Sequence, residues 1–323
     1  MRSLRKNARV LGAVIGVAGA LAFGAAAHGA YPDRPINMVV NFGPGGVTDL
    51  MARALASGME KDLGATIVVQ NRPGALGTLG PAHVAKQPAD GYTLAIVSAS
   101  VVTTTPHLMD VSVKPEDLVH VAGFGKNRYG IAVHADSEFK TISDLVEAAK
   151  GGESVFFGSP STPNSLIFFD LGRKTGGKFE LISYKAGPEA SLALLGRQVA
   201  VIAANPPDIL SHLEAGKLRL LASGSAERWR EYPDVPTLRE AGYDVSVEAW
   251  AGVAVPAGTP SEVVQRLQQS IERALRMPEV QEKIRQVGAD PQFMAGAEYT
   301  QYLLDEREKT GEIIKEAGIP RIN

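Results

Sequence analysis

Chemistry in this chain gathers in short loops of small and hydroxyl-bearing residues rather than in acid–base or thiol groups. The most distinctive loop is Phe42-Gly43-Pro44-Gly45-Gly46-Val47-Thr48-Asp49. Gly43, Gly45 and Gly46 let the backbone come close to a bound group, and a helix beginning near Thr48 turns its free N–H groups and positive dipole end toward the same space. A carboxylate can be held there without an arginine. The same residues also read as a plain strand-to-helix turn capped by Thr48 or Asp49, and an acidic residue in a first helical turn is favoured by the dipole whatever the loop binds. Comparable places hold Ser98 and Ser100, then Ser159, Ser161, Thr162 and Asn164 ahead of a second helix, and Asn205 ahead of two prolines. Each serves equally well as turn or cap chemistry, so the group rather than any one member points to a ligand. Lys126, Arg128 and Lys185 are the basic residues placed to pair with a second carboxylate, although most such side chains are simply solvated. Trp250 and Tyr184 either line the same space or pack in the core, the commoner fate of large aromatics.

Catalytic signatures are missing. There is no Gly-x-Ser-x-Gly elbow, His-Glu-x-x-His pair, Cys–His set or Walker loop, and the Gly43–Gly46 stretch lacks the third glycine of a dinucleotide fingerprint. The 6 histidines are scattered at spacings that suggest no metal site. Hydroxyls and backbone amides suit reversible capture better than catalysis, so no cofactor, no metal and no enzymatic activity are expected. An exported α/β enzyme is the weaker reading.

The elements that must position these loops are strands alternating with helices, the pattern of helices packed around mainly parallel sheets. Ile36 to Val40 reads as a strand, followed by Leu50, Met51, Ala54, Leu55, Met59 and Leu63 at helical spacing. The unit recurs with Ile67 to Gln70 and a helix over Thr78 to Lys86, then Tyr92 to Ser98. A second set follows: Val155 to Phe157 and a helix through Leu166, Phe169 and Leu171, then Leu181 to Tyr184, Val199 to Ala204 and Leu218 to Ala222. These strands end in small or hydroxyl residues, where open α/β sheets place ligands. Lys126 to Val133 and Val245 to Val255 are extended stretches bracketing the second set, and they predict two crossover strands between two similar lobes. The tail from Ser261 is helical and is expected to clamp the first lobe, with Val264, Leu267, Ile271 and Leu275 on one face.

The N-terminus carries Arg2, Arg5, Lys6 and Arg9, no acidic residue in that stretch, and then an apolar run from Val10 to about Ala27. That order reads as an export signal over residues 1–30, cleaved between about 27 and 30. With 0 cysteines there is neither a lipid-attachment thiol nor a disulfide framework, which fits a free protein in an oxidising compartment. A net charge of −2 without a basic stripe argues against a nucleic-acid partner. The remaining chain, about 295 residues, is the right size for two domains.

Five stretches in order resemble one family. They are Tyr31-Pro32-Asp33-Arg34-Pro35-Ile36, the Phe42–Asp49 loop, Asn71-Arg72-Pro73-Gly74-Ala75, Asp90-Gly91-Tyr92-Thr93-Leu94, and Pro233-Asp234-Val235-Pro236-Thr237 with Glu240-Ala241-Gly242; Trp250 and Pro256-Ala257-Gly258-Thr259-Pro260 carry the likeness to the tail. The chain resembles the Bug or TctC family, the extracytoplasmic solute receptors of tripartite tricarboxylate transporters. The resemblance implies a type II periplasmic binding protein fold, two α/β lobes joined by two crossover strands with a cleft between them. Lobe 1 would comprise residues 31–126 and 251–323, and lobe 2 residues 127–250. It implies a monomeric periplasmic receptor for a small carboxylate solute, working with the membrane components of such a transporter; a receptor feeding a membrane sensor would share the same pocket. Two departures bear on specificity. Ser161-Thr162-Pro163-Asn164-Ser165 stands where the family commonly has a glycine-rich loop ending in Asn-His, and Ala200 and Ala204 stand where an acidic residue is common.

Overall fold

Apolar runs of five or six residues, too short for helices and bounded by turn residues, form the strands that open the chain. The computed structural model describes residues 31–152 and 154–321, so the expected export signal lies outside the described residues. In chain order come Ile36–Val40 (β1), Val47–Leu63 (α1), Ile67–Asn71 (β2), Leu79–Val84 (α2), Thr93–Ser98 (β3), Ser100–Thr103 (α3), Thr105–Leu108 (α4) and Leu118–Asn127 (β4). Then follow Gly130–His134 (β5), Ile142–Lys150 (α5), Val155–Ser159 (β6), Thr162–Thr175 (α6), Phe179–Ser183 (β7), Gly187–Leu195 (α7), Val201–Ala204 (β8), Pro206–Glu214 (α8) and Leu218–Ser223 (β9). The chain closes with Ala249–Pro256 (β10), Ser261–Leu275 (α9), Pro278–Gln286 (α10), Ala289–Ala295 (β11) and Gly296–Glu316 (α11).

These strands form two sheets, in the orders β11-β4-β10-β3-β1-β2 and β7-β6-β8-β5-β9. The sheets are mixed, not mainly parallel. β1 lies parallel to β2 and β3, and β6 to β7 and β8, because a helix carries the chain back between them. β10 runs antiparallel to β3 and β4, and β5 antiparallel to β8 and β9. These are the strands by which the chain enters or leaves a sheet, so no crossover helix sets their direction. The expected crossover strand over Lys126 to Val133 is two strands meeting at Arg128 and Tyr129, and the return path is irregular until β10 begins at Ala249. β11 interrupts the expected helical tail. Its Pro291 is tolerated because β11 is an edge strand with a bulge against β4.

Period-two alternation sorts the second sheet's core onto two faces. Ile131, Phe157, Ala203 and Leu221 join one apolar cluster, while Ala132, Ile202, Ala204 and Leu220 join the other. On the first sheet, α1 packs close to α9 because Gly58 leaves no room for a side chain; an added Cβ would lie 2.8 Å from Ala274. Not all of the tail holds the first sheet. Ile313 and Ile314, at the end of α11, pack in the second sheet's core beside Leu166 and Leu171.

Candidate functional site

Loops from both sheets and from the connection between them meet around two adjoining cavities. The smaller, about 170 Å³, is lined by Phe42, Thr48, Ser98 and Ser100 from the first sheet's loops, by Asn127 and Tyr129 from the connection, and by Ser161, Asn164 and Asn205 from the second sheet's loops. The larger, about 380 Å³, shares Phe42, Ser100 and Ser161 and adds Ser159 and Thr162. Ten of the residues singled out in the sequence, Trp250 among them, therefore line one continuous cleft. Gly43, Gly45 and Gly46 line neither cavity, although Phe42 and Thr48 on either side of them do; Asp49 is buried, and Lys185 is exposed and lines neither.

Several helices begin in this cleft without a side-chain cap, the longest of them α1 and α6; α3 and α4 span four residues each, and α8 opens on Pro206 and Pro207, which have no N–H to offer. Gly46 occupies the cap position of α1, so neither Thr48 nor Asp49 caps it. Ser161 occupies that of α6, where its hydroxyl bonds instead to Asn164 Oδ1 (2.5 Å), and Asn164 Nδ2 donates to the carbonyl of Ala203 (2.7 Å). Asn164 is therefore not the cap. An uncapped start is not distinctive alone, since α9 has one too; α1 and α6 are the long helices whose first turns line the same small cavity. Their first-turn N–H groups present a partial positive charge there.

Among the described residues, no acidic, basic or histidine side chain lines either cavity. Lys126 and Arg128, expected near the cleft, are buried and committed to protein carboxylates. Lys126 Nζ reaches Glu227 at 3.0 Å and Glu248 at 3.3 Å. Arg128 makes two hydrogen bonds to Glu231, at 2.7 and 3.2 Å, and its Nε lies 3.6 Å from Asp290. Burial works against the Lys126 ammonium, but Glu248 and Glu227 outweigh it and raise its pKa. Asn127 and Tyr129 were not singled out, although both lie in the predicted crossover stretch, on either side of Arg128. Burial drives the Tyr129 phenol well above its usual range. Trp250 is both things at once, 2% exposed in the core and lining the small cavity, while Tyr184 packs against the second sheet's core.

Asp49 is the strut of the glycine loop. Its Oδ2 accepts the Gly45 N–H at 2.9 Å, its Oδ1 accepts from Asn71 Nδ2 at 2.8 Å, and Arg53 pairs with it at 3.0 Å. Gly45 takes φ +80°, a left-handed conformation that suits glycine. Burial pushes the Asp49 carboxyl up, yet Arg53, Gly45 and Asn71 together hold it below its ordinary value of 3.8. A folded-state pKa depressed in this way stabilises the fold above the unfolded pKa and loses that contribution as pH falls. Asp49→Asn is expected to lose about 1–2 kcal/mol at neutral pH and to affect affinity only mildly. Thermal melts at several pH values check this: the gap from wild type should hold above about pH 5 and close as pH drops below 3.8. A gap that widens in acid would refute the strut role.

Residues 51–319 match the family model described as "Tripartite tricarboxylate transporter family receptor", TctC. Protein BugT of Bordetella pertussis is 35% identical over 299 residues, covering 89% of this chain and 90% of BugT. A TctC solute binding protein from Polaromonas superposes with a TM-score of 0.80 at 28% identity, over 88% of this chain and 99% of that one. The R. palustris protein Rpa4515, solved with adipate, superposes with a TM-score of 0.75 at 28% identity, over 90% and 100%.

Proposed function

The chain belongs to the TctC family of tripartite tricarboxylate transporter receptors, and from that premise we propose that it captures a small carboxylate in the periplasm and passes it, unchanged, to the membrane components of such a transporter. The family is a class of solute-binding receptors rather than of enzymes. One observation carries the choice of ligand: two uncapped helix starts, α1 and α6, come from loops of opposite sheets to a single small cavity lined by neutral hydroxyls and amides. A carboxylate between them gains hydrogen bonds and dipole stabilisation from both. Phe42, Thr48, Ser98, Ser100, Ser161, Asn164 and Asn205 are the side chains placed to complete its contacts. Adipate in Rpa4515 supports the same chemistry. Among the described residues no helix is long and apolar enough to cross a membrane, in keeping with a receptor that meets its transporter from outside the bilayer.

A ligand that binds only the folded protein stabilises it by about 2.7 kcal/mol at a hundred times its Kd. At about 2–4 °C per kcal/mol for a chain of this size, a thermal-shift screen of mono-, di- and tricarboxylates is expected to show a rise of at least about 5 °C for the cognate class. No rise with any of them at millimolar concentration would sink the proposal. Mass spectrometry of the recovered hit should show it intact; chemical alteration would restore the enzyme reading.

A further inference from the structure

Along the segment from Ser100 to Leu108, Ser100, Thr104, Thr105 and Leu108 line the larger cavity of the cleft, whereas Val101, Val102 and Pro106 line a different space. That space is a chamber of two adjoining parts, about 390 and about 100 Å³, which share Val102, Pro115, Leu118 and His120. Among the described residues, none lines both this chamber and the cleft. The larger part is walled by Val264 of α9 and by Ala297, Leu303 and Leu304 of α11, the smaller by Val97, Val101, Val111 and Val113. A space of this size, mostly apolar with a few placed polar groups, is the usual form of a small-molecule site.

The charge in this chamber has one sign. Lys114 and Arg307 line the smaller part, neither of them in an ion pair among the described residues, and no aspartate or glutamate among those residues lines either part. His120 stands where the two parts meet. It is 8% exposed, its ring is edge-on to Tyr299 at 5.7 Å, and its Nδ1 has no hydrogen-bond partner. Burial lowers its pKa to about 4, so at neutral pH the imidazole is uncharged and carries one N–H. Buried polar groups are normally paired, and an orphaned one calls for an explanation. Gln268 and Thr300, also in the wall, are committed to the start of α11: Gln268 Oε1 accepts the Gly296 N–H at 3.1 Å, and the Thr300 hydroxyl donates to the Gly296 carbonyl at 2.7 Å. Lysine and arginine N–H groups hold a carboxylate more strongly than a neutral acceptor, and the valines and leucines beyond them favour an alkyl chain.

We propose that this chamber is a second ligand site, separate from the cleft, for an amphipathic monoanion of the medium-chain fatty-acid class: the carboxylate lies among Lys114, Arg307 and His120, and the alkyl chain runs between α9 and α11.

Calorimetric titration of the purified protein with octanoate, decanoate, dodecanoate and decanol tests this. Affinity for the carboxylates should rise about fourfold per added methylene, the equivalent of about 0.8 kcal/mol. Decanoate should bind at least about tenfold more tightly than decanol, which lacks the charge. Decanoate is itself a carboxylate, so variants separate the chamber from the cleft. Ala297→Trp fills the larger part from an exposed helix position; it should weaken decanoate by at least about tenfold, through the lost tail burial, without changing the melting temperature of the free protein. Leu304→Glu, at a residue 46% exposed on the same wall, should do the same by setting a charge against the tail, and it keeps the test open if Ala297→Trp fails to fold. Lys114→Gln combined with Arg307→Gln should bring decanoate down to the affinity of decanol. No binding of decanoate at millimolar concentration, or decanol binding as tightly as decanoate to the wild type, would overturn the proposal. Undiminished decanoate binding in the folded Ala297→Trp and Leu304→Glu proteins would place decanoate elsewhere and overturn it equally, leaving the carboxylate reading of the cleft untouched.

Discussion

Replacing Arg128 with alanine is expected to lower the melting temperature by about 10 °C, from a loss of about 3–5 kcal/mol for breaking a buried ion pair at about 2–4 °C per kcal/mol. The side chain is 4% exposed, and its partners Glu231 and Asp290 are themselves largely covered. Arg128 lies at the turn between β4 and β5, Glu231 in the return path after β9, and Asp290 in β11, so one guanidinium ties both connections between the sheets to the first sheet's edge. Without it, two carboxylates stay in a poorly hydrated site with no counter-charge. Burial raises the Glu231 carboxyl but Arg128 outweighs it and holds it below 4.5, whereas burial prevails at Asp290, which sits above its usual range despite Arg128. The sign of the pH dependence follows. The Glu231 contribution is present above its unfolded pKa and lost in acid, while the variant's carboxylates are relieved by protonation. The gap between wild type and variant should therefore be widest near neutral pH and narrow below about pH 4.5. Arg128→Met separates charge from packing, since it keeps apolar contact with Trp229, over which the guanidinium lies at 5.5 Å. A methionine variant as stable as wild type would show that the charge contributes nothing.

Gly46→Val should weaken solute binding at least tenfold, about 1.4 kcal/mol, while the protein keeps a native circular dichroism spectrum. Gly46 has φ −73° and ψ 164°, angles that valine adopts, and the nearest atom to an added Cβ is the Gly43 carbonyl oxygen at 3.6 Å. The fold has room for the side chain; the approach to the start of α1 does not. Exchanging glycine for valine at a helix cap costs about 1 kcal/mol or less, a shift of a few degrees. Gly45 would be a poorer choice, because its φ of +80° makes any substitution there a backbone defect as well. Titration of the folded variant with its best carboxylate decides the matter. Wild-type affinity would make the loop a plain turn and move the anion site to the second sheet around Ser161 and Thr162.

The loops that meet in the cleft were legible because their position follows from local pattern. Where a run such as Ile36 to Val40 or Val155 to Phe157 gives way to a helical repeat, the intervening loop lies at the carboxyl end of a strand, and in open α/β sheets those ends border the ligand crevice. Phe42, Thr48, Ser98, Ser100, Ser159, Ser161, Thr162, Asn164 and Asn205, expected at such ends, line the two cavities, whereas Gly43, Gly45, Gly46, Asp49 and Lys185, expected on the same ground, line neither. Strand direction was not local. β10 and β5 show the same apolar runs as β1 and β6, and only the path of the chain between the sheets turns them antiparallel. Side-chain roles were less local still. Lys126 and Arg128 look free in sequence because Glu227 and Glu231 stand a hundred positions away, and Asp49 resembles a cap until Gly45, Asn71 and Arg53 close around it. Periodicity and propensity are properties of neighbours along the chain and identify elements and their ends. Which charges are neutralised and which helix starts stay uncapped depend on groups brought together only by folding.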